Sequence, residues 1–296
     1  MKNILITGGS GLVGTHLTEL LTKKGYEVAW LSRSPQAAKY FLWNVEKSEI
    51  DPKSIEWADA IIHLAGAGVA EKRWTPERKK LILESRTQST QLLYSAIEKA
   101  ENKPNTFISS SAVGYYGFNT GTQLVDESHQ PGSDFLAEVV IAWENEVKKM
   151  ESLNLRTVLL RIGIVLSTEG GALEEMLKFP VAVPLGNGDQ WMSWIHIEDL
   201  AQMFIFALEK TTLQGAYNAV GPNPATNQQL TREAAYAKGI PFLNIGAPAF
   251  GLRLVLGEMA AMVLGGNRVS CQKIQKAGFQ FEFYELAAAL KDLFHK

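Results

Sequence analysis

The chain has 296 residues, of which 46% are hydrophobic and 20% charged, so it can bury the cores of one large and one small domain. Lysine and arginine total 29 and aspartate and glutamate total 31, giving a formal net charge of −2. This near balance argues against a partner held by bulk charge. We therefore predict neither nucleic-acid binding nor attachment to an anionic membrane surface.

Cysteine content and hydrophobic runs bear on the compartment. Cys271 is the single cysteine, so no intramolecular disulfide is expected, and we interpret it as an inert thiol. The first predicted strand begins at Asn3 without a leader-like segment, and no apolar run approaches the roughly 18 residues of a membrane span. We expect a cytoplasmic protein. The histidines and the cysteine lack the spacing of metal ligands, so we predict no metal site.

Through the first half of the chain, short apolar runs alternate with longer segments in which apolar residues recur at the spacing of a helix. Runs that are apolar throughout are typical of parallel strands covered on both faces. Their alternation with helices predicts an α/β fold with a Rossmann-type, doubly wound parallel sheet. The predicted strands cover 3–7, 27–31, 59–65, 106–111 and 156–166, and the predicted helices cover 12–24, 76–101 and 134–152.

The pattern changes after Leu166, where glycine and proline become frequent. Segment 215–220 (GAYNAV) is strand-like and is expected to interleave with the sheet. We predict a large domain over 1–220, with 167–195 contributing to a substrate lobe, and a small C-terminal domain over 221–296. The later predicted helices cover 199–210, 227–237, 250–264 and 285–294.

A glycine-rich turn joins the first strand to the first helix. Glycines at 8, 11 and 14 suit a tight turn, close approach of a pyrophosphate, and close packing of helix on sheet. A helix that begins here points free N–H groups and its positive dipole end at phosphates. Because the motif follows a strand and opens a helix, it indicates a dinucleotide site. The predicted contacts are Gly8, Gly9, Ser10, Gly11, Leu12, Val13 and Gly14.

The end of the second strand discriminates between NAD and NADP. An acidic residue there would bind the ribose 2′-hydroxyl, whereas an arginine accommodates a 2′-phosphate. The residues are Ser32, Arg33 and Ser34, with no carboxylate among them. We therefore predict that the cofactor is NADP(H). Because the glycine-rich turn and these residues lie within 1–220, we predict that the large domain binds it.

Motifs along the whole chain now point to a family. The chain resembles the extended short-chain dehydrogenase/reductase superfamily, within its NAD-dependent epimerase/dehydratase group. More narrowly, it is similar to an atypical subgroup that ends in a small domain of unknown function. The broader matches are 7–14, 63–66 (HLAG), 109–112 (SSSA) and 194–200 (WIHIEDL), and the narrower ones are 72–74 (KRW), 85–86 (SR), 111–117, 190–196 and 268–293.

The resemblance implies further site residues. It places the backbone at His63 and Leu64, followed by Ala65 and Gly66, along the adenosine and ribose, although His63 is also interpretable as a core histidine. It implies that Arg86 reaches the cofactor or the substrate, and that the nicotinamide lies beside Ser109, Ser110 and Ile164. Arg73 recurs in the subgroup pattern, whereas a solvated helix face is the preferred interpretation of Arg78, Lys79 and Lys80. The resemblance is also compatible with a homodimer.

The usual chemistry of the superfamily requires a polarising hydroxyl, a tyrosine and a lysine four residues later. Ser111 matches the hydroxyl. The tyrosine and lysine belong on the helix over 134–152, which contains no tyrosine. Alignment on Glu144 puts Leu136 and Val140 at the two positions, and neither can transfer a proton.

Other residues near this site have two interpretations each. Tyr115 and its neighbour Tyr116 can replace the missing acid, or can pack against the cofactor or the core. His196 can donate a proton, although a structural hydrogen bond is preferred, and Asp199 suits the first turn of a helix. The glycine-rich, aromatic loop 186–194 can close over a substrate.

Two functional hypotheses follow. The first, which we favour, is an NADP(H)-dependent oxidoreductase or epimerase-like enzyme that acts on a small molecule, with Ser111 and Tyr115 as candidate catalytic residues. The second is a non-catalytic NADP(H)-binding sensor or interaction protein, which Leu136 and Val140 favour. The fold alone cannot separate them, because function depends on the site.

Overall fold

The computed structural model describes residues 2–34 and 39–295, and its centre is an eight-stranded sheet. The strands in these ranges are β1 (Asn3–Thr7), β2 (Glu27–Ser32), β3 (Tyr40–Asn44), β4 (Glu49–Ile50), β5 (Ala60–His63), β6 (Thr106–Ala112), β7 (Asn119–Val125), β8 (Arg156–Ile162), β9 (Ile164–Leu166), β10 (Trp191–Met192), β11 (Trp194–His196), β12 (Gly215–Ala219), β13 (Ala225–Thr226) and β14 (Gly266–Val269). The sheet order is β12-β8-β6-β5-β1-β2-β3-β4. All of its pairs are parallel except β3 with β4, which confirms the predicted α/β class.

Helices cover both faces of this sheet. They are α1 (Leu12–Lys23), α2 (Pro52–Trp57), α3 (Pro76–Lys99), α4 (Phe135–Lys148), α5 (Ala172–Met176), α6 (Ile197–Glu209), α7 (Asn227–Lys238), α8 (Ala249–Leu256), α9 (Ala260–Leu264), α10 (Gln272–Lys276) and α11 (Leu286–Phe294). Strand β1 directs Ile4 and Ile6 to the face covered by α1 and α6, and Leu5 to the face covered by α3 and α4. All three side chains are fully buried, as a doubly covered strand requires.

Two predictions about the later strands had different outcomes. The strand-like segment at 215–220 does join the sheet, since β12 pairs with β8 at its edge. The segment 156–166, predicted to carry one strand, does contain β8 in the sheet, but it also contains β9, which pairs with β11 after the chain leaves the sheet at Gly163. A Cβ atom at Gly163 would lie 2.1 Å from the carbonyl oxygen of Ser193, so this crossing requires glycine.

The C-terminal segment packs tightly onto the sheet domain. Strand β14 pairs with β7, and α11 packs against α7. The buried Asp199 carboxylate accepts hydrogen bonds from the backbone N–H groups of Glu282 and Phe283, at 2.8 and 3.1 Å. Burial raises the pKa of Asp199 to about 6 despite these bonds. In the described ranges, no helix is long and apolar enough to cross a membrane.

Candidate cofactor and substrate site

The glycine-rich turn brings three backbone segments into close contact. Gly8 has a φ of +70°, and a Cβ atom there would lie 2.9 Å from the backbone of Leu64 and Ala65. A Cβ atom at Gly14 would lie 2.3 Å from the Gly8 carbonyl oxygen, so the first turn of α1 can approach the loop only without a side chain. No side chain caps α1, which leaves its first N–H groups available to an anion.

Gly9 and Gly11 differ in their surroundings. A Cβ atom at Gly9 would lie 2.4 Å from the ring of Trp30, which packs beneath the loop and donates through Nε1 to Thr18. At Gly11 a Cβ atom would meet one neighbour within 4 Å, the Gly8 oxygen at 3.3 Å, which is a tight contact but much less severe than the one at Gly9. Gly9 is therefore required by internal packing, whereas Gly11 faces the space in which we predict the pyrophosphate.

The residues that end β2 lie at the protein surface. Ser32 donates to the carbonyl oxygen of Ser34, which holds the turn that follows the strand. Arg33 is exposed, and its guanidinium forms no hydrogen bond or ion pair with any residue in 2–34 or 39–295. An arginine in this setting can rotate to meet a phosphate, as the 2′-phosphate prediction requires.

His63 is a core histidine. Its ring is fully buried beside Phe107 and Trp143, and burial, with a smaller effect of Arg86, lowers its pKa to about 3. Its Nδ1 atom lies 2.7 Å from Oγ1 of Thr7. The burial supports the core interpretation of the His63 side chain, and the contact of its backbone with the cofactor stays a prediction.

The bonds around Thr7 assign the ring tautomer of His63. Thr7 Oγ1 accepts from the backbone N–H groups of Leu64 and Ala65, both at 3.1 Å, so its own proton goes to Nδ1 of His63. The proton of the neutral ring then sits on Nε2, within reach of the Ser89 and Thr90 hydroxyls. This arrangement fixes the predicted ribose-side loop, in which Leu64 and Ala65 are partly exposed and Gly66 is exposed.

The serines of β6 are largely occupied inside the sheet. Ser109 is fully buried, and its hydroxyl donates to the Ser110 carbonyl oxygen, so its predicted contact with the cofactor is not apparent here and stays a prediction. The Ser110 hydroxyl donates to the His63 carbonyl oxygen at 3.0 Å. Ser110 and the half-buried Ile164 keep some exposed surface, and their contact with a cofactor stays a prediction.

Arg86 holds the loop that follows β5. Its Nη1 atom donates to the carbonyl oxygens of Ala67 and Ile82, and its guanidinium lies 5.3 Å from the ring centre of Trp143. Burial lowers its pKa to about 10. Its donors therefore shape the wall next to Gly66, and direct contact with a ligand is still a prediction.

Ser111 belongs to a buried polar network. Its hydroxyl donates to Oε1 of Glu144 at 2.7 Å, and Arg161 binds both carboxylate oxygens at 2.8 and 2.9 Å. Burial by itself would lower the pKa of Arg161, but Glu144 reverses this effect and raises it. Arg161 lies inside an apolar run, and a charge in that position indicates a buried partner that our sequence interpretation missed.

The two tyrosines occupy different environments. Tyr116 is buried, donates to Oδ1 of Asn218 at 2.8 Å, and accepts from Arg161 at 3.2 Å. Burial raises its pKa to about 12, so it is a poor proton donor or base near neutral pH. The ring of Tyr115 covers Arg161, with 3.4 Å between the guanidinium carbon and the ring centre, and is partly exposed.

The positions expected to carry the tyrosine and lysine face the same turn. A Cβ atom at Gly114 would lie 3.4 Å from Cβ of Leu136 and 3.8 Å from a methyl group of Val140. The half-buried Leu136 and the buried Val140 therefore border the segment that follows Ser111. This border of the candidate site is apolar.

His196 and loop 186–194 are tied into the structure. His196 is buried, stacks on Phe283 and accepts from the Glu198 N–H, which supports its structural interpretation. Ser193 lies within the loop and donates to the Asn267 carbonyl oxygen at 2.7 Å. The loop thus packs against the C-terminal segment in this conformation.

The comparisons with known proteins agree with this geometry. The NAD dependent epimerase/dehydratase family matches residues 4–220, and a domain of unknown function, DUF1731, matches residues 247–293. An epimerase family protein of Staphylococcus aureus (strain bovine RF122 / ET3-1) is 37% identical over all of both chains. Epimerase family protein YfhF of Bacillus subtilis is 36% identical over 98% of this chain and 97% of its own.

A solved structure of the human epimerase family protein SDR39U1 with NADPH has a TM-score of 0.87. It is 33% identical and covers 98% of both chains. A nucleoside-diphosphate sugar epimerase from Corynebacterium glutamicum has a TM-score of 0.80 at 29% identity, covering 99% of this chain and 58% of its own. From its fold, its site and these relatives, the chain belongs to the NAD dependent epimerase/dehydratase family.

Proposed function

We propose that the protein binds NADP(H) at the glycine-rich turn, with Arg33 contacting the 2′-phosphate. The observation that carries this proposal is the exposed Arg33 at the end of β2, in a chain whose first helix begins without a side-chain cap. The human relative whose structure contains NADPH supports it, because that protein is similar over 98% of both chains. Bound NADPH would supply a hydride at its nicotinamide ring.

We propose further that the protein is an oxidoreductase or epimerase-like enzyme acting on a small molecule. Ser111 orients a reacting group in this proposal, and Tyr115 is the candidate proton carrier because it is the more exposed of the two tyrosines. The guanidinium of Arg161 lies against the Tyr115 ring, with 3.4 Å between the guanidinium carbon and the ring centre, so this side chain is held beside a positive charge.

A second candidate function is non-catalytic sensing of NADP(H). The apolar border formed by Leu136 and Val140 beside Gly114 favours it, because neither side chain carries a proton. A sensor would bind NADPH and NADP⁺ with different affinities and would transfer no hydride to any substrate.

A structure with NADPH, followed by a substrate screen at the nicotinamide absorbance, separates the two candidates. An oxidoreductase predicts oxidation of NADPH by at least one carbonyl compound, whereas an epimerase-like enzyme leaves the cofactor unchanged overall and is detected by analysis of the epimerised product. In either case the rate should fall in the Tyr115→Phe variant. Tight NADPH binding with neither NADPH oxidation nor an epimerised product across sugars, ketones and aldehydes would favour the sensor. Turnover unaffected by both Tyr115→Phe and Ser111→Ala would remove the two catalytic assignments.

A further inference from the structure

The Arg73 side chain lies against Gly257, which is four residues after Arg253 in the chain. A Cβ atom at Gly257 would lie 2.7 Å from Nε and 2.9 Å from Nη2 of Arg73, so the Arg73 guanidinium lies directly against this glycine. Arg253, in the last turn of α8, lines a surface cavity of about 520 Å³ that Gly257 also borders. The cavity is therefore lined by the positively charged Arg253, and the positively charged Arg73 lies against Gly257 at its border.

Neither arginine is neutralised within the protein. Both side chains are exposed, and neither forms a hydrogen bond or an ion pair with any residue of the two described ranges. Glu258 also borders the cavity, but it is paired with Lys79. Three positive groups and one negative group leave two uncompensated positive charges, in a chain whose formal net charge is −2.

The cavity is connected to the candidate site along the chain. Its apolar wall includes Phe118, which follows the turn after Ser111, and Leu264 from the C-terminal segment. Phe118 stacks on Trp74, the residue after Arg73, with 6.0 Å between ring centres. Arg253 thus lines the same cavity as Phe118, and Arg73 precedes the residue that stacks on Phe118.

We propose that Arg73 and Arg253 form a binding site for the anionic group of a small-molecule ligand, a carboxylate or a phosphate. The inference rests on the proposed function, since it assigns the charge class of the substrate of that site. Guanidinium groups bind both anions through charge-assisted hydrogen bonds. It also gives the C-terminal segment a role, because Arg253, Gly257 and Glu258 all lie within the region matched by DUF1731.

The test uses citrate and inorganic phosphate as probes, at constant ionic strength set with sodium chloride. Each is titrated against the thermal unfolding midpoint of the full-length protein, with and without saturating NADPH, which blocks the phosphate-binding turn. We expect saturable stabilisation in both cases, and apparent affinities about tenfold weaker in Arg73→Ala and in Arg253→Ala. The matched control is Arg232→Ala, an exposed arginine paired with Glu233 on α7, which should change affinity less than twofold.

Tighter binding of citrate would assign a carboxylate to the site, and tighter binding of phosphate would assign a phosphate. No saturable effect in the wild-type protein, unchanged titrations in both arginine variants, or an equal loss in Arg232→Ala would overturn the proposal. NADPH affinity is measured separately and should change less than twofold in all three variants. If NADPH does not bind at all, the proposed cofactor role fails, while the titrations without NADPH still decide the anion site.

Discussion

The Ser111 hydroxyl donates its only proton to Oε1 of Glu144, across 2.7 Å. A polarising hydroxyl must donate to a substrate oxygen, so Ser111 can act in that way only if it releases Glu144. As it stands, the Ser111 oxygen presents acceptor lone pairs to its surroundings. The geometry favours a positioning role for Ser111, with the proton supplied by another group.

Removing the Glu144 carboxylate should be strongly destabilising. Glu144→Ala leaves the guanidinium of Arg161 buried without its counter-charge, and we expect a loss of about 3–5 kcal/mol in the free energy of unfolding. Urea denaturation measures it. Glu175→Ala, which removes an exposed pair with Lys178, should cost less than about 0.5 kcal/mol. Equal losses of unfolding free energy in the two variants would contradict the large stabilisation assigned to the buried Glu144–Arg161 pair.

Alanine substitutions at Gly9 and Gly11 should have different effects, the first on folding stability and the second on NADPH binding. Gly9→Ala places a methyl group into the Trp30 ring, so we expect about 1–3 kcal/mol of destabilisation, partly relieved by Trp30→Leu in the same chain. Gly11→Ala meets only the Gly8 oxygen at 3.3 Å, so it should lose less than about 1 kcal/mol. It should nevertheless weaken NADPH binding about tenfold or more, because the new methyl group would face the proposed pyrophosphate position. Calorimetry and NADPH fluorescence measure these effects, and unchanged NADPH affinity in Gly11→Ala would contradict the placement.

The buried His63 predicts acid sensitivity. Its pKa is about 3 in the folded protein, against an ordinary value of 6.5, so the unfolded chain binds the proton first as pH falls. The stability from keeping this ring neutral is therefore present above pH 6.5 and is lost progressively toward pH 3. At pH 5.5 the loss from this residue should be about 1.4 kcal/mol relative to pH 7.5.

Urea denaturation at the two pH values tests this expectation. His63→Gln should be less stable at pH 7.5 but should lose about 1.4 kcal/mol less between pH 7.5 and 5.5 than the wild-type protein. His295→Gln, which removes an exposed histidine, serves as the control and should keep the wild-type dependence. Identical pH dependence in His63→Gln and the wild type would show that His63 is not held neutral by burial.

The early elements of the fold follow from local pattern. The predicted strand at 3–7 coincides with β1, and the predicted helix at 12–24 differs from α1 by one residue, because apolar periodicity and Gly25 define them locally. The short strands β7, β10 and β14 were not predicted. They depend on pairing between distant segments, such as β7 with β14, which no local periodicity reveals.

In the candidate site, too, the features set by local sequence could be predicted, whereas those set by contacts between distant segments could not. The turn at 8–14 could be predicted, because Gly8 and Gly14 lie too close to neighbouring backbone atoms for any residue with a Cβ atom. The need for Gly9 could not, since it arises from Trp30 on a neighbouring strand. His63 and Ser109 lie on strands β5 and β6, as predicted. The position of a residue along a strand does not reveal how deeply its side chain is buried. The contact of Arg73 with Gly257 joins segments far apart in the chain and required the structure.

The central claim, an NADP(H) site with Arg33 at the 2′-phosphate, is tested most directly by parallel titration of NADPH and NADH by isothermal calorimetry. The wild-type protein should bind NADPH at least about tenfold more tightly than NADH, because only NADPH carries the phosphate that Arg33 can bind. Arg33→Ala should lose about tenfold in NADPH affinity and less than about twofold in NADH affinity. Tighter binding of NADH by the wild-type protein, or an unchanged NADPH affinity in Arg33→Ala, would contradict it.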